Sequence, residues 1–184
     1  MEGTEILRGG RVFLYARLKD IIRIPPHRFV EPLEKVSMEL LNQKYVGLYD
    51  SELGIIVGVY DVKVEPVGRV LPGNGGSYHE AEMSLLSYKP VLHEVVEGPV
   101  VDVKDFGIFV RIGPIDGFVH KSQISEEYVE YDPTRPGFLM KQSNKIIEIG
   151  DIVRARIIGV SVGTEREGVR VQMTMRQPYL GKVE

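Results

Sequence analysis

The sequence predicts an α+β protein in two parts, a small antiparallel sheet with one main helix over residues 12–87 and a five-stranded β-barrel over residues 88–184. Three observations carry that expectation. Helical spacing occurs once, at Leu33, Val36, Leu40 and Leu41, between segments rich in apolar, β-branched and aromatic residues. Beyond Tyr88-Lys89-Pro90 the pattern changes to short strands divided by turn residues, with no long helix. Gly98 and Gly107 fall where a barrel strand has to bend, which suggests an OB-type barrel.

Met1 to Arg11 has the charge and glycine of a lead-in rather than the apolar core of a signal peptide, so residues 1–11 are read as an extension with no assigned role. Val12 to Ile24 is strand-like and stops at Pro25-Pro26, which can neither continue a ladder nor enter a helix interior. Pro32 suits the first turn of a helix that Gly47 closes. Gly54 to Val64 and Tyr78 to Tyr88 read as further strands around a Pro- and Gly-rich stretch, Pro66 to Gly76. Overlapping its start, Val64 to Arg69 reads equally as the end of a hairpin-like extension or as a plain connecting loop.

The barrel strands are expected at Leu92 to Val103, Ile108 to Ile112, Gly117 to His120, Ile152 to Val162 and Val169 to Arg176. In the last, Val169, Val171, Met173 and Met175 alternate with Arg170, Gln172, Thr174 and Arg176, as a half-buried strand requires. Ser122 to Glu148 is expected to be a surface insertion, with a short helical turn around Lys121 to Ser125.

Composition removes several function classes. Cysteine is absent, so there is no disulfide framework and no thiolate metal site, and His27, His79, His93 and His120 lack metal-ligand spacing. No metal and no cofactor are expected. No apolar run approaches the roughly 20 residues that span a bilayer, and a cytoplasmic protein without membrane partners is expected. Net charge is −3, with 10 basic and 12 acidic residues before Ser87 and 13 and 14 from there on. Nucleic-acid affinity would therefore come from a local patch and stacking, not from a polycationic surface.

The run Val103-Lys104-Asp105-Phe106-Gly107-Ile108-Phe109-Val110, followed by Asp116-Gly117-Phe118-Val119-His120-Lys121, holds the candidate chemistry. In a five-strand barrel it can place Phe106, Phe109 and His120 on one outer surface with Lys121 beside them. Exposed rings stack on unpaired bases, at about 1–3 kcal/mol each, while cations hold phosphates. The competing reading makes both phenylalanines core. Against it, Ile108 and Val110 already supply the inward alternation and leave Phe109 on the other face. Arg154 and Arg156 alternate with Val153, Ala155 and Ile157, and either extend a phosphate track or are ordinary solvated charges.

The run from Gly98 to Lys121, the Gly150-Asp151 strand opening and Val171-Gln172-Met173-Thr174 resemble the S-one type RNA-binding domain, an OB-fold. The resemblance implies RNA contacts at Phe106, Phe109, His120 and Arg170. The acidic contact that many members carry before the last strand has no clear match around Gly163-Thr164-Glu165-Arg166.

Further pieces, in order, are Asp20-Ile21-Ile22-Arg23-Ile24-Pro25-Pro26, Lys44-Tyr45-Val46-Gly47, Gly54-Ile55-Ile56-Val57, Tyr78-His79 and Met175-Arg176-Gln177-Pro178-Tyr179-Leu180-Gly181. Together they resemble the E-prime family of archaeal RNA polymerase subunits, whose eukaryotic counterpart is the seventh subunit of RNA polymerase II. The resemblance implies a truncated RNP-like N-terminal domain, a heterodimer with the F subunit of the RNA polymerase, and a non-catalytic stalk on the polymerase. Val64, Glu65, Pro66, Val67, Gly68 and Arg69 would then form the tip that docks on the polymerase core near the clamp, and the barrel would bind single-stranded RNA transcript.

Two other function classes compete. An enzyme would need a convergent acid, base or nucleophile set. Asp105-Phe106-Gly107 lacks the glycine-rich loop and strand lysine of a kinase, and the glycines around Asn74 lack the lysine of a phosphate-binding loop. A free-standing single-stranded RNA-binding module of an exosome or translation complex would share the barrel, but would not need the N-terminal sheet with its projecting tip.

Overall fold

The computed structural model describes residues 5–8, 12–163 and 168–183. The chain divides into two compact units, Met1–Lys89 and Pro90–Glu184. Among the described residues no helix is long and apolar enough to cross a membrane.

In the first unit, β1 (Glu5–Arg8) and β2 (Phe13–Ile24) are followed by a 3-10 turn at Pro26–Arg28 and by α1 (Leu33–Tyr45). β3 (Tyr49–Asp50), β4 (Gly54–Val64), β5 (Arg69–Val70) and β6 (Ser77–Tyr88) complete it. The sheet order is β1-β2-β6-β4-β3, with β5 also paired to β6, and every pairing is antiparallel. β2 and β6 run in unbroken register from Phe13 opposite Tyr88 to Ile24 opposite Ser77. The segment expected to be an extension without a role thus contributes a strand, its backbone pairing with the outer edge of β2 from Glu5 opposite Arg17 to Arg8 opposite Leu14. Met1–Thr4 and Gly9–Arg11 lie outside the described residues.

β2 alternates strictly, with Ala16, Leu18, Ile22 and Ile24 buried and Arg17, Lys19, Ile21 and Arg23 exposed. α1 covers the apolar face of β2 and β4, with Leu41 and Tyr45 in the core shared with those strands and Val36 also buried. Pro32 is the N-cap of α1, and its carbonyl accepts from the Val36 N–H at 3.1 Å. Gly47, with φ of +89°, makes the left-handed turn after the helix, and its N–H donates to the Ile56 carbonyl at 2.8 Å.

Arg28 fixes the entry to α1 by donating to Glu31 at 2.7 Å and Glu39 at 2.6 Å. Asp20 fixes its exit, accepting from the Tyr45 hydroxyl at 2.7 Å and from Lys44. Burial pushes the Asp20 carboxyl up, but hydrogen bonds from Lys44, Tyr45 and the Ile21 N–H outweigh it and hold the group below the usual carboxylate range. A depressed carboxyl contributes stability above its unfolded pKa and loses it as pH falls through the folded value. Asp20→Asn is therefore expected to cost about 1 kcal/mol near pH 7, mostly through the Tyr45 bond because Lys44 is half exposed. In urea titrations the gap between variant and wild type should close below about pH 4, as the wild-type carboxyl protonates. A gap unchanged at low pH would remove the charge from the account.

In the second unit the strands are β7 (Val95–Lys104), β8 (Gly107–Arg111), β9 (Asp116–His120), β10 (Val129–Asp132), β11 (Gly137–Met140) and β12 (Ile146–Glu148). They continue with β13 (Ile152–Val162), β14 (Val169–Thr174) and β15 (Gly181–Lys182). The ladder β14-β9-β8-β7-β13 closes by pairing β13 with β14, and only β9–β14 is parallel. This is a closed five-stranded OB barrel. Its interior holds Val100, Ile108, Val110, Val119, Ile157 and Met173. Gly98 permits the closure, since a Cβ there would stand 1.9 Å from the Arg111 carbonyl oxygen.

Two expectations change here. The insertion before β13 is not surface structure alone. A 3-10 turn at Lys121–Gln123 is followed by the three-stranded sheet β10-β11-β12, which sends Phe138, Met140 and Ile147 into the barrel core. Thr174 lies on the outward side of β14 yet is buried, because Gln123 covers it and accepts from its Oγ1 at 2.7 Å.

Candidate nucleic-acid interface

Period-two alternation on β8 buries Ile108 and Val110 and leaves Phe109 on the outer face, directly opposite Phe118 of β9. Phe106 occupies the turn between β7 and β8 and is 47% exposed. Its carbonyl accepts from the Lys121 N–H at 2.9 Å, which ties that turn to the end of β9. The three rings form one cluster, with centroids 6.5 Å apart for Phe106–Phe109, 5.7 Å for Phe106–Phe118 and 5.2 Å for Phe109–Phe118. The His120 ring stands edge-on to Phe118 at 6.3 Å. Gly107 makes room for this arrangement, because the Phe118 ring lies over its backbone.

Phe106, Phe109 and His120 thus come together, with exposed Lys121 adjoining. Phe118 was not among the expected contacts. The signal was present, since Phe118 alternates with Gly117 and Val119 as Phe109 does with Ile108 and Val110. Gln172 of β14 adjoins Phe118, and Arg170 lies further along the same strand, toward the end where Arg111 pairs with Asp116.

Arg154 and Arg156 are not brought to this cluster, because β14 stands between β13 and β9. Arg154 is engaged by Glu97 at 2.6 Å and donates to the Tyr179 carbonyl at 3.2 Å. Arg156 lies opposite Thr174 with its Nε buried and unpartnered. Residues 164–167, where the acidic contact was sought, lie outside the described residues. Among the described residues no group of three or more His, Asp or Glu side chains could hold a metal ion.

Val64–Arg69 joins the end of β4 to β5. The Glu65 N–H donates to the Glu80 carbonyl at 2.9 Å. Buried His79 donates from Nδ1 to the Glu65 carbonyl at 2.8 Å and accepts at Nε2 from Ser77 Oγ at 3.0 Å. Gly68 lies on the His79 ring, where a Cβ would come within 2.4 Å of Nε2. The segment is therefore a pinned hairpin end and not a loose connection. It presents Val67, 85% exposed, beside an open groove of about 320 Å³ lined by Phe29, Leu33, Val36, Pro66 and Val70.

Comparison with known proteins matches both units. Residues 89–173 fit the model of the S1 RNA binding domain, and residues 19–75 fit the SHS2 domain found in the N terminus of Rpb7p/Rpc25p/MJ0397. The DNA-directed RNA polymerase subunit Rpo7 of Saccharolobus shibatae is 41% identical over 168 residues, 91% of this chain and 93% of that one. Its namesake in Saccharolobus solfataricus is 42% identical over the same shares. That of Sulfolobus acidocaldarius is 39% identical over 173 residues, 94% of each chain. With an SHS2 sheet and an S1 barrel in this order, and identity of this level over nearly its whole length, the chain belongs to the Rpo7 family of DNA-directed RNA polymerase subunits.

Proposed function

We propose that this chain is a non-catalytic stalk subunit of a DNA-directed RNA polymerase whose barrel holds emerging single-stranded RNA. The observation that carries the RNA reading is the cluster of Phe106, Phe109 and Phe118 beside His120 on the outer face of an S1-type barrel. Rings that pack edge-on or tilted against one another keep part of each face accessible without collapsing into a core, and unpaired bases stack on such faces whatever their identity. Lys121 on one side and Arg170 on the other supply phosphate contacts. Arg154 and Arg156 are secondary in this reading, being a strand further away.

Family membership supports assembly with a polymerase over a free-standing role in an exosome or translation complex. In this reading the partner is the F subunit of the RNA polymerase, the pinned Val64–Arg69 hairpin end docks on the polymerase core near the clamp, and the complex works in the cytoplasm. Exposed Val67 and the adjoining apolar groove suit that docking. The chain contributes binding energy for transcript and clamp, with the bond-making left to the polymerase core.

The test is a fluorescence-anisotropy titration of a short single-stranded RNA at two salt concentrations. Phe106→Ala removes the most exposed ring and should weaken binding about tenfold with no change in melting temperature. With two phosphates neutralised, the wild-type log–log salt slope should be about −1.4. Binding unchanged in Phe106→Ala would send the RNA to another surface.

A further inference from the structure

A single neighbour, Ser122, sets the tautomer of the neutral His120 ring. The Ser122 backbone N–H, which can only donate, points at His120 Nδ1 from 3.2 Å, and Ser122 Oγ lies 2.8 Å from the same nitrogen. The N–H requires a lone pair on Nδ1, and the hydroxyl, which can donate or accept, then donates to it as well, so the neutral ring carries its proton on Nε2. Among the described residues Nε2 has no partner.

Ser122 is itself fixed. The Met175 N–H donates to the Gln123 carbonyl at 2.8 Å, Thr174 Oγ1 donates to the Gln123 side chain at 2.7 Å, and Arg176 reaches the Ser122 carbonyl at 3.4 Å. The Lys121–Gln123 turn is thereby tied to the end of β14, the strand next to β9 in the barrel wall.

We infer that Ser122 is a positioning residue, which holds His120 as an Nε2–H donor to an acceptor oxygen of the nucleotide stacked on the neighbouring phenylalanines. The inference rests on the RNA reading above and assigns that site a polar requirement beyond stacking. A ring with the opposite tautomer would present a lone pair at Nε2 and repel a phosphate or carbonyl oxygen, which can only accept, whereas a 2′-hydroxyl could turn to donate to it. Buried His79 has that opposite form, with Nδ1 donating to the Glu65 carbonyl, and provides an internal contrast in the same molecule.

The tautomers can be read directly from long-range proton–nitrogen correlations of nitrogen-15-labelled protein at about pH 8.5, two units above the ordinary histidine pKa. His120 should show an unprotonated Nδ1 and a protonated Nε2, and His79 the reverse. A protonated Nδ1 at His120 overturns the inference without RNA entering the experiment.

Ser122→Ala removes the hydroxyl and keeps the backbone donor. It should raise the minor tautomer of His120 and weaken binding of the same RNA about threefold to tenfold, with the melting temperature unchanged. Ser122→Thr, which keeps the hydroxyl, should restore both. If Ser122→Ala leaves tautomer and affinity at wild-type levels, the Ser122 side chain does not position the ring and the inference is overturned.

Titrating ribo- and deoxyribo-oligomers of one sequence locates the oxygen. A loss confined to RNA assigns it to the 2′-hydroxyl, and equal losses assign it to phosphate or base. If Phe106→Ala leaves binding intact while the tautomer is as stated, the stacking reading fails and the donor half survives.

Discussion

Phe138→Ala will destabilise the barrel by about 3–5 kcal/mol, the usual cost of emptying a buried phenylalanine site. The ring is 1% exposed and lies between Tyr131 and Ile147 on neighbouring strands, with its centroid 5.6 Å from that of Tyr131. Ile124 and Met140 belong to the same buried core cluster. The loss combines the transfer energy of the side chain with the contacts its lining forfeits, because β11 is anchored on both edges and cannot collapse into the space. The measurement is urea unfolding followed on methyl resonances of the second unit, which separates the barrel from the N-terminal sheet. A loss below about 1 kcal/mol would mean that β10-β11-β12 is a flap on a barrel complete without it.

That result would also mark where the sequence stops being readable. Elements with a local cause were legible: β2 ends at Pro25-Pro26, α1 is bounded by Pro32 and Gly47, and β4 and β13 occupy the segments expected from β-branched runs. The insertion was not, because its strands have only three or four residues, and short apolar runs such as Phe138-Leu139-Met140 and Ile146-Ile147 carry no period. Nothing local distinguishes Phe138 from a surface aromatic, and what buries it is a barrel wall assembled from distant strands.

The site divides along the same line. Alternation correctly turned Phe109 outward and applies equally to Phe118, since both depend on immediate neighbours. It also turned Thr174, Arg154 and Arg156 outward, but direction is not exposure. Gln123 reaches Thr174 across 51 positions of sequence, and Glu97 reaches Arg154 across 57. Partners at such separations leave no periodic trace, so a cation that looks available in sequence can be engaged in the fold. Val64–Arg69 shows the converse: its composition leaves a hairpin-like extension and a plain loop equally open, and His79, ten residues beyond it, decides by pinning the Glu65 backbone.

Gly107→Ala is expected to damage fold and site together. A Cβ at this position would stand 2.3 Å from the Val119 carbonyl oxygen and 2.7 Å and 2.9 Å from two carbons of the Phe118 ring. The ring could rotate away, but the carbonyl belongs to β9 and takes part in the β8–β9 ladder, so relief requires the two strands to separate. That places the cost at about 3 kcal/mol, the upper end for an overpacked site. Because Phe109 and Phe118 are opposite each other on those strands, separating them also breaks up the aromatic cluster, and on the proposed stacking role RNA affinity should fall more than tenfold even where the barrel remains folded. Gly159→Ala is the matched control, since its Cβ would meet only the Gln172 side chain, at ordinary distances of 3.5–3.9 Å. It should change stability by less than about 1 kcal/mol and leave RNA binding intact. Phe106→Ala completes the comparison by weakening binding without unfolding. If Gly107→Ala lost stability but bound RNA as tightly as wild type, the aromatic cluster would not be the binding surface. If it lost neither, the close approach of β8 to β9 would not be what positions the rings.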